Sequence, residues 1–149
     1  MKIINTTNIN QARKEIQEIK KKNPEQKIAL LSQDDEFNRK ALEIKGLNIL
    51  IINENIWQKD YMKQRSSGLN EVLAKICADK NIEIGIEIDG IIKKSDIEKA
   101  KSLARLAQNI MLCKKSKCKL IFMSNKSYDK LTLNSILLTL GANTQQASF

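Results

Sequence analysis

The chain has 149 residues, of which 42% are hydrophobic and 29% charged. This balance is typical of one folded domain, assigned to residues 1–149, and excludes a disordered chain. The sequence contains no histidine, which excludes Ser-His or Cys-His nucleophilic catalysis and removes the usual ligands of a catalytic zinc. No apolar run approaches the ~20 residues of a membrane span and no secretory signal follows Met1, so we expect a cytoplasmic protein with no membrane partner.

The net charge of +9 is concentrated in the C-terminal third of the chain. Residues 1–98 hold 17 basic and 16 acidic side chains, whereas residues 99–149 hold nine and one. No acidic residue lies between Lys99 and Tyr128. Because a field of one sign attracts polyanions, nucleic acid is the first candidate ligand and an anionic membrane surface a distant second.

Apolar strands and amphipathic helices alternate along the chain. Strands are predicted over residues 1–6, 27–31, 47–52, 82–88 and 119–124. Helices are predicted over residues 9–22, 34–45, 68–80, 96–115 and 132–140. Continuous apolar strands that alternate with helices indicate an α/β fold with parallel strands covered on both faces.

Side chains at the predicted boundaries indicate where the helices begin. The predicted caps are Thr7 or Asn8, Ser32, Ser67 and Ser95. The helix over residues 68–80 is expected to pack through Leu69, Val72, Leu73 and Ile76. In the strand over residues 82–88 isoleucine alternates with Glu83, Gly85 and Glu87, which predicts one buried and one polar face.

The cysteines and the loop aromatics favour structural roles. Cys77, Cys113 and Cys118 form no CxxC pair and are odd in number, so we expect small, partly buried hydrophobic side chains without a disulfide framework. Trp57 and Tyr61 could stack on a base, but packing of a loop is favoured.

Glu83, Glu87 and Asp89 are the candidates for an acidic site. Three carboxylates could hold Mg²⁺ through water, because oxygen ligands suit that ion. The favoured alternative is that they line a polar strand face and pair with lysines. No metal site and no catalytic residue are therefore assigned.

The long predicted helix carries a basic face. Lys94, Glu98, Lys101, Arg105, Gln108 and Lys115 share that face at helical spacing, and the predicted packing face contains Ile97, Ala100, Ala104, Ala107, Ile110 and Met111. An ordinary amphipathic helix and a polyanion-binding helix both fit this pattern. Further lysines follow this face, and few acids balance them. The charge geometry therefore supports polyanion contact at Lys93, Lys101, Lys114, Lys115 and Lys117.

The segment Arg65 to Lys75 (RSSGLNEVLAK) places a cation, two hydroxyls and a glycine before a helix, where free N–H groups favour an anion. A plain helix cap explains the same residues equally well. This segment, the strand that follows and ARLAQNIMLCKKSKCKL at Ala104 to Leu120 resemble the thirty-kilodalton protein subunit family of ribonuclease P, called protein component 3 in archaea. LTLNSILLTLG at Leu131 to Gly141 agrees more weakly. Glu71 and Ala107 depart from the family pattern, in which His and a basic residue are common.

The resemblance implies a TIM-barrel-like fold, similar to polymerase-and-histidinol-phosphatase hydrolases but without the working metal site. Since a complete eight-unit barrel needs ~200 residues or more, we expect a shortened or incomplete barrel of about five to six parallel strands. The resemblance also implies a non-catalytic subunit that binds ribonuclease P RNA and supports removal of the 5′ leader from precursor tRNA. The RNA and its Mg²⁺ would be the catalyst, the chain would hold no cofactor, and the isolated chain would be inactive.

The implied protein partner is a small RRM-like ribonuclease P subunit, with a heterotetramer as one arrangement. Carried over by position, Arg65, Lys75, Arg105 and Asn109 belong to the matching motifs. Two alternatives remain open at this point. The chain could be a degenerate metal-dependent phosphoesterase that uses the three carboxylates, or a basic assembly protein that meets an acidic partner without a direct RNA role.

Overall fold

The structure is a computed structural model that describes residues 1–53, 60, 62, 64–124 and 128–146. Its elements are β1 (Lys2–Ile4), α1 (Ile9–Lys22), β2 (Ile28–Leu31), α2 (Asp35–Ala41), β3 (Ile49–Ile52), α3 (Glu71–Asp79), β4 (Glu83–Glu87), α4 (Ile88–Lys93), α5 (Asp96–Ser116), β5 (Leu120–Met123) and α6 (Lys130–Thr139). Every predicted element is present, and the short helix α4 is an addition. The predicted loop aromatics Trp57 and Tyr61 lie outside the described residues.

The five strands form one parallel sheet in the order β1-β2-β3-β4-β5. Each strand pairs with the one before it in the sequence, and Leu30, Leu50, Ile84 and Leu120 lie opposite one another across four strands. This sequential winding is that of a TIM barrel, but the sheet of the described residues is open, with β1 and β5 at its edges. The prediction of a shortened barrel is therefore confirmed.

The helices pack on one face of the sheet. A single large apolar cluster joins that face to the helices through Ile16, Phe37, Leu73, Leu106, Ile110 and Leu137. A smaller cluster on the opposite face contains Ala29, Ile49 and Ile51, with Leu31, Ile121 and Met123 packed against it. No described helix contributes to the smaller cluster. The expectation that both sheet faces are covered by helices is wrong, because a sheet wound toward a barrel turns its helix-free face inward.

The alternation predicted for the fourth strand is partly confirmed. Ile84 and Ile86 are buried toward the helices. Gly85 is also buried, and a Cβ built on it would lie 3.0 Å from the sulfur of Met123 and 3.1 Å from a methyl of Ile49. The second face of this strand is therefore apolar at its centre, not polar as predicted. The strand ends at Glu87 because the next residue begins α4.

Two of the predicted helix caps are wrong. Asp34 caps α2, where its carboxylate accepts a backbone N–H, and Asn70 caps α3 in the same way. Ser32 is buried instead, and its hydroxyl accepts the backbone N–H of Asn53 at 2.9 Å. The hydroxyl of Ser67 is likewise used away from the helix end. A buried hydroxyl is used by whichever backbone group lacks a partner, which local spacing does not reveal.

The three cysteines are free and buried, as the sequence predicts. Cys113 and Cys118 flank the end of α5, where the backbone N–H of Cys118 donates to the carbonyl of Cys113 at 3.0 Å. Between them Lys117 takes a left-handed conformation with φ 60°, and together these features form a Schellman cap. The thiol of Cys118 donates to the carbonyl of Ile82 at 3.6 Å. The cysteines therefore serve packing and helix termination.

No helix in the described part of the chain is long and apolar enough to cross a membrane. The longest, α5, has 21 residues, and its exposed positions carry several lysines.

The burial of α3 corrects its predicted packing face and supplies a test. Leu73 is 2% exposed whereas its neighbour Val72 is 59% exposed. We expect Leu73→Ala to lower the free energy of unfolding by about 2 to 5 kcal/mol, because it leaves a cavity in the core. Val72→Ala should change it by less than about 0.5 kcal/mol, as for other surface positions. Denaturant unfolding of the two variants checks this, and equal losses would contradict the observed face.

Candidate nucleic-acid interface

The side-chain amide of Gln108 fixes the backbone of Arg65. Its Oε1 accepts the Arg65 N–H at 3.0 Å, and its Nε2 donates to the Arg65 carbonyl at 2.9 Å and to the Ser67 hydroxyl at 2.8 Å. An amide carries one acceptor and two donors, so it satisfies both backbone groups of a single residue. The segment over residues 64–70, which leads into α3, is thereby attached to the middle of α5.

Asn109, a predicted RNA-binding residue, is completely buried. Its Nδ2 donates to the carbonyl of Ser67 at 3.1 Å. The hydroxyl of Ser67, also buried, donates to the carbonyl of Leu69 at 3.2 Å. In this structure Asn109 positions the segment over residues 64–70 and does not face solvent, so any effect it has on a ligand is indirect.

Arg65 and Arg105, two further predicted residues, meet at the carboxylate of Asp60. Asp60 Oδ1 accepts the backbone N–H of Ser66 at 2.8 Å and lies 3.4 Å from Arg105 Nη2. Asp60 Oδ2 lies 3.8 Å from Arg65 Nη1. The Ser66 N–H and the positive charges of Arg105 and Arg65 lower the pKa of Asp60. Motifs far apart in the sequence thus place two guanidinium groups at one point.

A groove of about 560 Å³ between α3 and α5 contains three more predicted residues, Lys75, Lys115 and Lys117. Glu71, at the start of α3, forms an ion pair with Lys115, and this hydrogen bond lowers the pKa of Glu71. Glu71 therefore neutralises one of the three lysines, and Asp79 is a second carboxylate in the lining of the groove. We call the two arginines together with this groove the α3–α5 face.

The remaining predicted residues, Lys101, Lys114 and Lys93, lie outside the α3–α5 face. Lys101 is exposed one helical turn before Arg105 and pairs with Glu98 at 3.3 Å. Lys114 lines a separate cavity of about 460 Å³ beside the start of β5. Lys93 is exposed in the last turn of α4. The structure therefore brings some, and not all, of the predicted residues into one surface.

The predicted packing face of α5 is mostly wrong. The buried residues of this helix are Ser102, Leu106, Asn109, Ile110 and Cys113, and the exposed ones include Ile97, Ala100 and Met111. Two buried positions are polar: the hydroxyl of Ser102 accepts from Lys94 Nζ at 2.7 Å, and Asn109 Nδ2 donates to the Ser67 carbonyl at 3.1 Å. Hydrophobicity alone does not identify a buried stripe that contains such residues.

The three candidate carboxylates do not form one site. Glu83 pairs with Lys119 at the start of β4, and Glu87 is exposed at its end, about 13 Å away for four residues of strand. Asp89 is buried and accepts from the Ser124 hydroxyl at 2.7 Å. Among the residues that the structure describes, no three His, Cys, Asp or Glu side chains are placed to hold a metal. The phosphoesterase alternative therefore lacks its triad.

Sequence reasoning missed two residues of the α3–α5 face. Gln108 was assigned to the basic face only by its spacing, and its pairing with Arg65 has no local signal. Asp60 stands in a stretch predicted to be irregular, and no periodicity relates it to Arg105. A lone carboxylate shortly before a cationic motif is the one available hint.

The fold and this surface define a singly wound parallel α/β protein with cationic side chains along α3 and α5. No protein-family model matches the chain. Ribonuclease P protein component 3 of Methanococcus vannielii is 29% identical over 103 residues, which cover 68% of this chain and 42% of that protein. The protein of the same name from Methanococcoides burtonii is 29% identical over 98 residues, or 66% of this chain and 37% of that protein.

A solved structure shares the fold of this chain. A chain in the cryo-EM structure of archaeal ribonuclease P with mature tRNA superposes with a TM-score of 0.73 at 22% identity, covering 94% of this chain and 59% of that one. The resemblance drawn from the sequence motifs is confirmed: the chain is similar to ribonuclease P protein component 3. The chain spans less than half the length of the curated relatives it matches.

The pairing of Gln108 with the Arg65 backbone can be tested by Gln108→Leu. This change keeps the size of the side chain and removes the partner of the Arg65 backbone groups. Because those groups are exposed and water can replace the amide, we expect a loss of about 0.5 to 1.5 kcal/mol in the free energy of unfolding. Hydrogen exchange of amides over residues 64–70 should accelerate. The matched control is Gln17→Leu at an exposed position of α1. Unchanged exchange over residues 64–70 would show that other contacts hold the segment.

Proposed function

We propose that this chain is a cytoplasmic, non-catalytic protein subunit of ribonuclease P, which binds the ribonuclease P RNA and supports removal of the 5′ leader from precursor tRNA. One observation carries the proposal. The two motifs that resemble protein component 3 come together between α3 and α5, where Arg65 and Arg105 meet at Asp60. Further along the two helices, three lysines line a groove that also contains Glu71 and Asp79. The relatives and the superposed structure support the same function.

The chemistry of this face suits an RNA backbone. Guanidinium groups bind phosphate oxygens in a fork geometry, and lysines in the groove add charge with little demand on direction. Such contacts position a protein on RNA without reading its sequence. The face is held in shape by Gln108 and Asn109, so part of the ordering cost is met before binding.

In this proposal the catalyst is the RNA with its Mg²⁺, and the isolated chain is inactive and holds no cofactor. The further partners are a small RRM-like subunit, with a heterotetramer as one arrangement, and precursor tRNA within the complete enzyme. The described residues support a passive chemical role, because their carboxylates are dispersed and the sequence contains no histidine.

The α3–α5 face predicts how RNA affinity depends on salt. Arg105→Gln and Lys75→Gln should each weaken binding of ribonuclease P RNA and reduce the slope of log affinity against log salt by about 0.7 to 0.9, one lost phosphate contact each. Lys14→Gln, at an exposed site of α1 near the other end of the strand order, is the matched control and should have little effect. The measurement is a binding titration at several salt concentrations.

Equal effects of all three substitutions would contradict a defined face and would favour the assembly alternative, in which basic charge meets an acidic protein. Precursor-tRNA cleavage by the cognate RNA and the small subunit, with and without this chain, tests the activity itself. A rate increase that needs the chain and falls in Arg105→Gln is expected. No increase with a folded chain would contradict the proposed function.

A further inference from the structure

Three hydrogen-bond donors converge on the carboxylate of Asp60. The Ser66 N–H binds Oδ1 at 2.8 Å, Arg105 Nη2 lies 3.4 Å from the same atom, and Arg65 Nη1 lies 3.8 Å from Oδ2. A carboxylate and a phosphate are the two anions that arginine side chains and backbone N–H groups recognise in proteins. Asp60 therefore occupies the position that an RNA phosphate bound to these groups would take.

The backbone that carries Arg65 and Ser66 is held by contacts that do not involve Asp60. Gln108 fixes the backbone of Arg65 on both sides, and Asn109 fixes the carbonyl of Ser67. The side chain of Arg105 is only 12% exposed, so its position is set by its surroundings. Departure of the carboxylate would leave the Ser66 N–H and the largely buried Arg105 near their present positions, and the half-exposed Arg65 guanidinium within reach of an incoming anion.

The arginines, by contrast, hold Asp60 loosely. Its side chain is 38% exposed, one guanidinium contact is long for a hydrogen bond, and the other exceeds hydrogen-bond distance. Ion pairs with this exposure contribute little to stability, because water and salt screen them. A polyanion that brings several phosphates to the same face can therefore compete with it.

We propose that Asp60 is an internal competitor for RNA: its carboxylate occupies the site formed by Arg65, Arg105 and the Ser66 N–H until a backbone phosphate displaces it. The inference rests on the proposed RNA-binding function and adds a restraint to it. Competition by Asp60 lowers the affinity of this site for every polyanion. Only a ligand that also contacts other parts of the α3–α5 face then binds well. The opposite role, in which Asp60 orients the arginines for RNA, predicts an effect of the opposite sign.

The test is Asp60→Asn, which keeps the shape and the acceptor for the Ser66 N–H but removes the charge. Binding of fluorescently labelled ribonuclease P RNA at about 0.1 M salt should become about three- to tenfold tighter. Glu18→Gln on α1, an exposed residue, changes the net charge equally and should alter affinity by less than about twofold. Asp60→Ser should act in the same direction as Asp60→Asn, which protects the test against one poorly folded variant.

A double-mutant cycle separates competition from general repulsion. In an Arg65→Gln and Arg105→Gln background the gain from Asp60→Asn should disappear, because the carboxylate then competes for nothing. A persistent gain, or an equal gain from Glu18→Gln, would overturn the inference and leave RNA binding intact. Weaker binding by folded Asp60→Asn would assign Asp60 to positioning the arginines and also overturn it. No RNA binding by any variant, the unsubstituted chain included, would overturn the proposed function and this inference together.

Discussion

The pairing of the Gln108 amide with the backbone of Arg65 is the constraint on which the α3–α5 face depends. It joins the middle of α5 to the segment that leads into α3, and the neighbouring Asn109 joins the same segment through Ser67. Net contributions of such bonds are about 1 kcal/mol each, and the buried bond from Asn109 to Ser67 is more costly to break than the exposed bonds from Gln108 to Arg65. The position of the Arg65 backbone relative to α5 follows from this junction.

The strands and helices were predictable because their hydrophobic periods are strong. Isoleucine and leucine fill the buried strands, and α1 begins and ends where its apolar spacing and cap predict. The predictions of helix caps and packing faces were wrong where tertiary contacts, and not the local sequence, determine the role of a side chain. Ser32 and Ser67 are competent helix caps in sequence, yet each hydroxyl serves a neighbouring segment. The packing stripe of α5 contains polar residues that a hydrophobic pattern assigns to solvent.

For the candidate site, too, the sequence predicts some features and only the assembled fold reveals others. The motif resemblance predicts Arg65, Lys75 and Arg105, and the charge of the acid-free segment after Lys99 predicts Lys115. Their meeting at one face is not visible, because it requires β3, α3 and α5 to be assembled. The same assembly separates Glu83 from Glu87, since a strand holds residues four apart at opposite ends.

The junction at Gln108 has a consequence for how this surface can change over evolutionary time. The amide recognises the backbone N–H and carbonyl of residue 65 and makes no use of its side chain. The side chain there can therefore be exchanged without loosening the loop, whereas the hydroxyl of Ser67 is itself a bonding partner. At residue 65 the backbone holds the structure and the side chain is available to contact a ligand. Substitutions there can therefore change ligand binding while the backbone contact with Gln108 is kept.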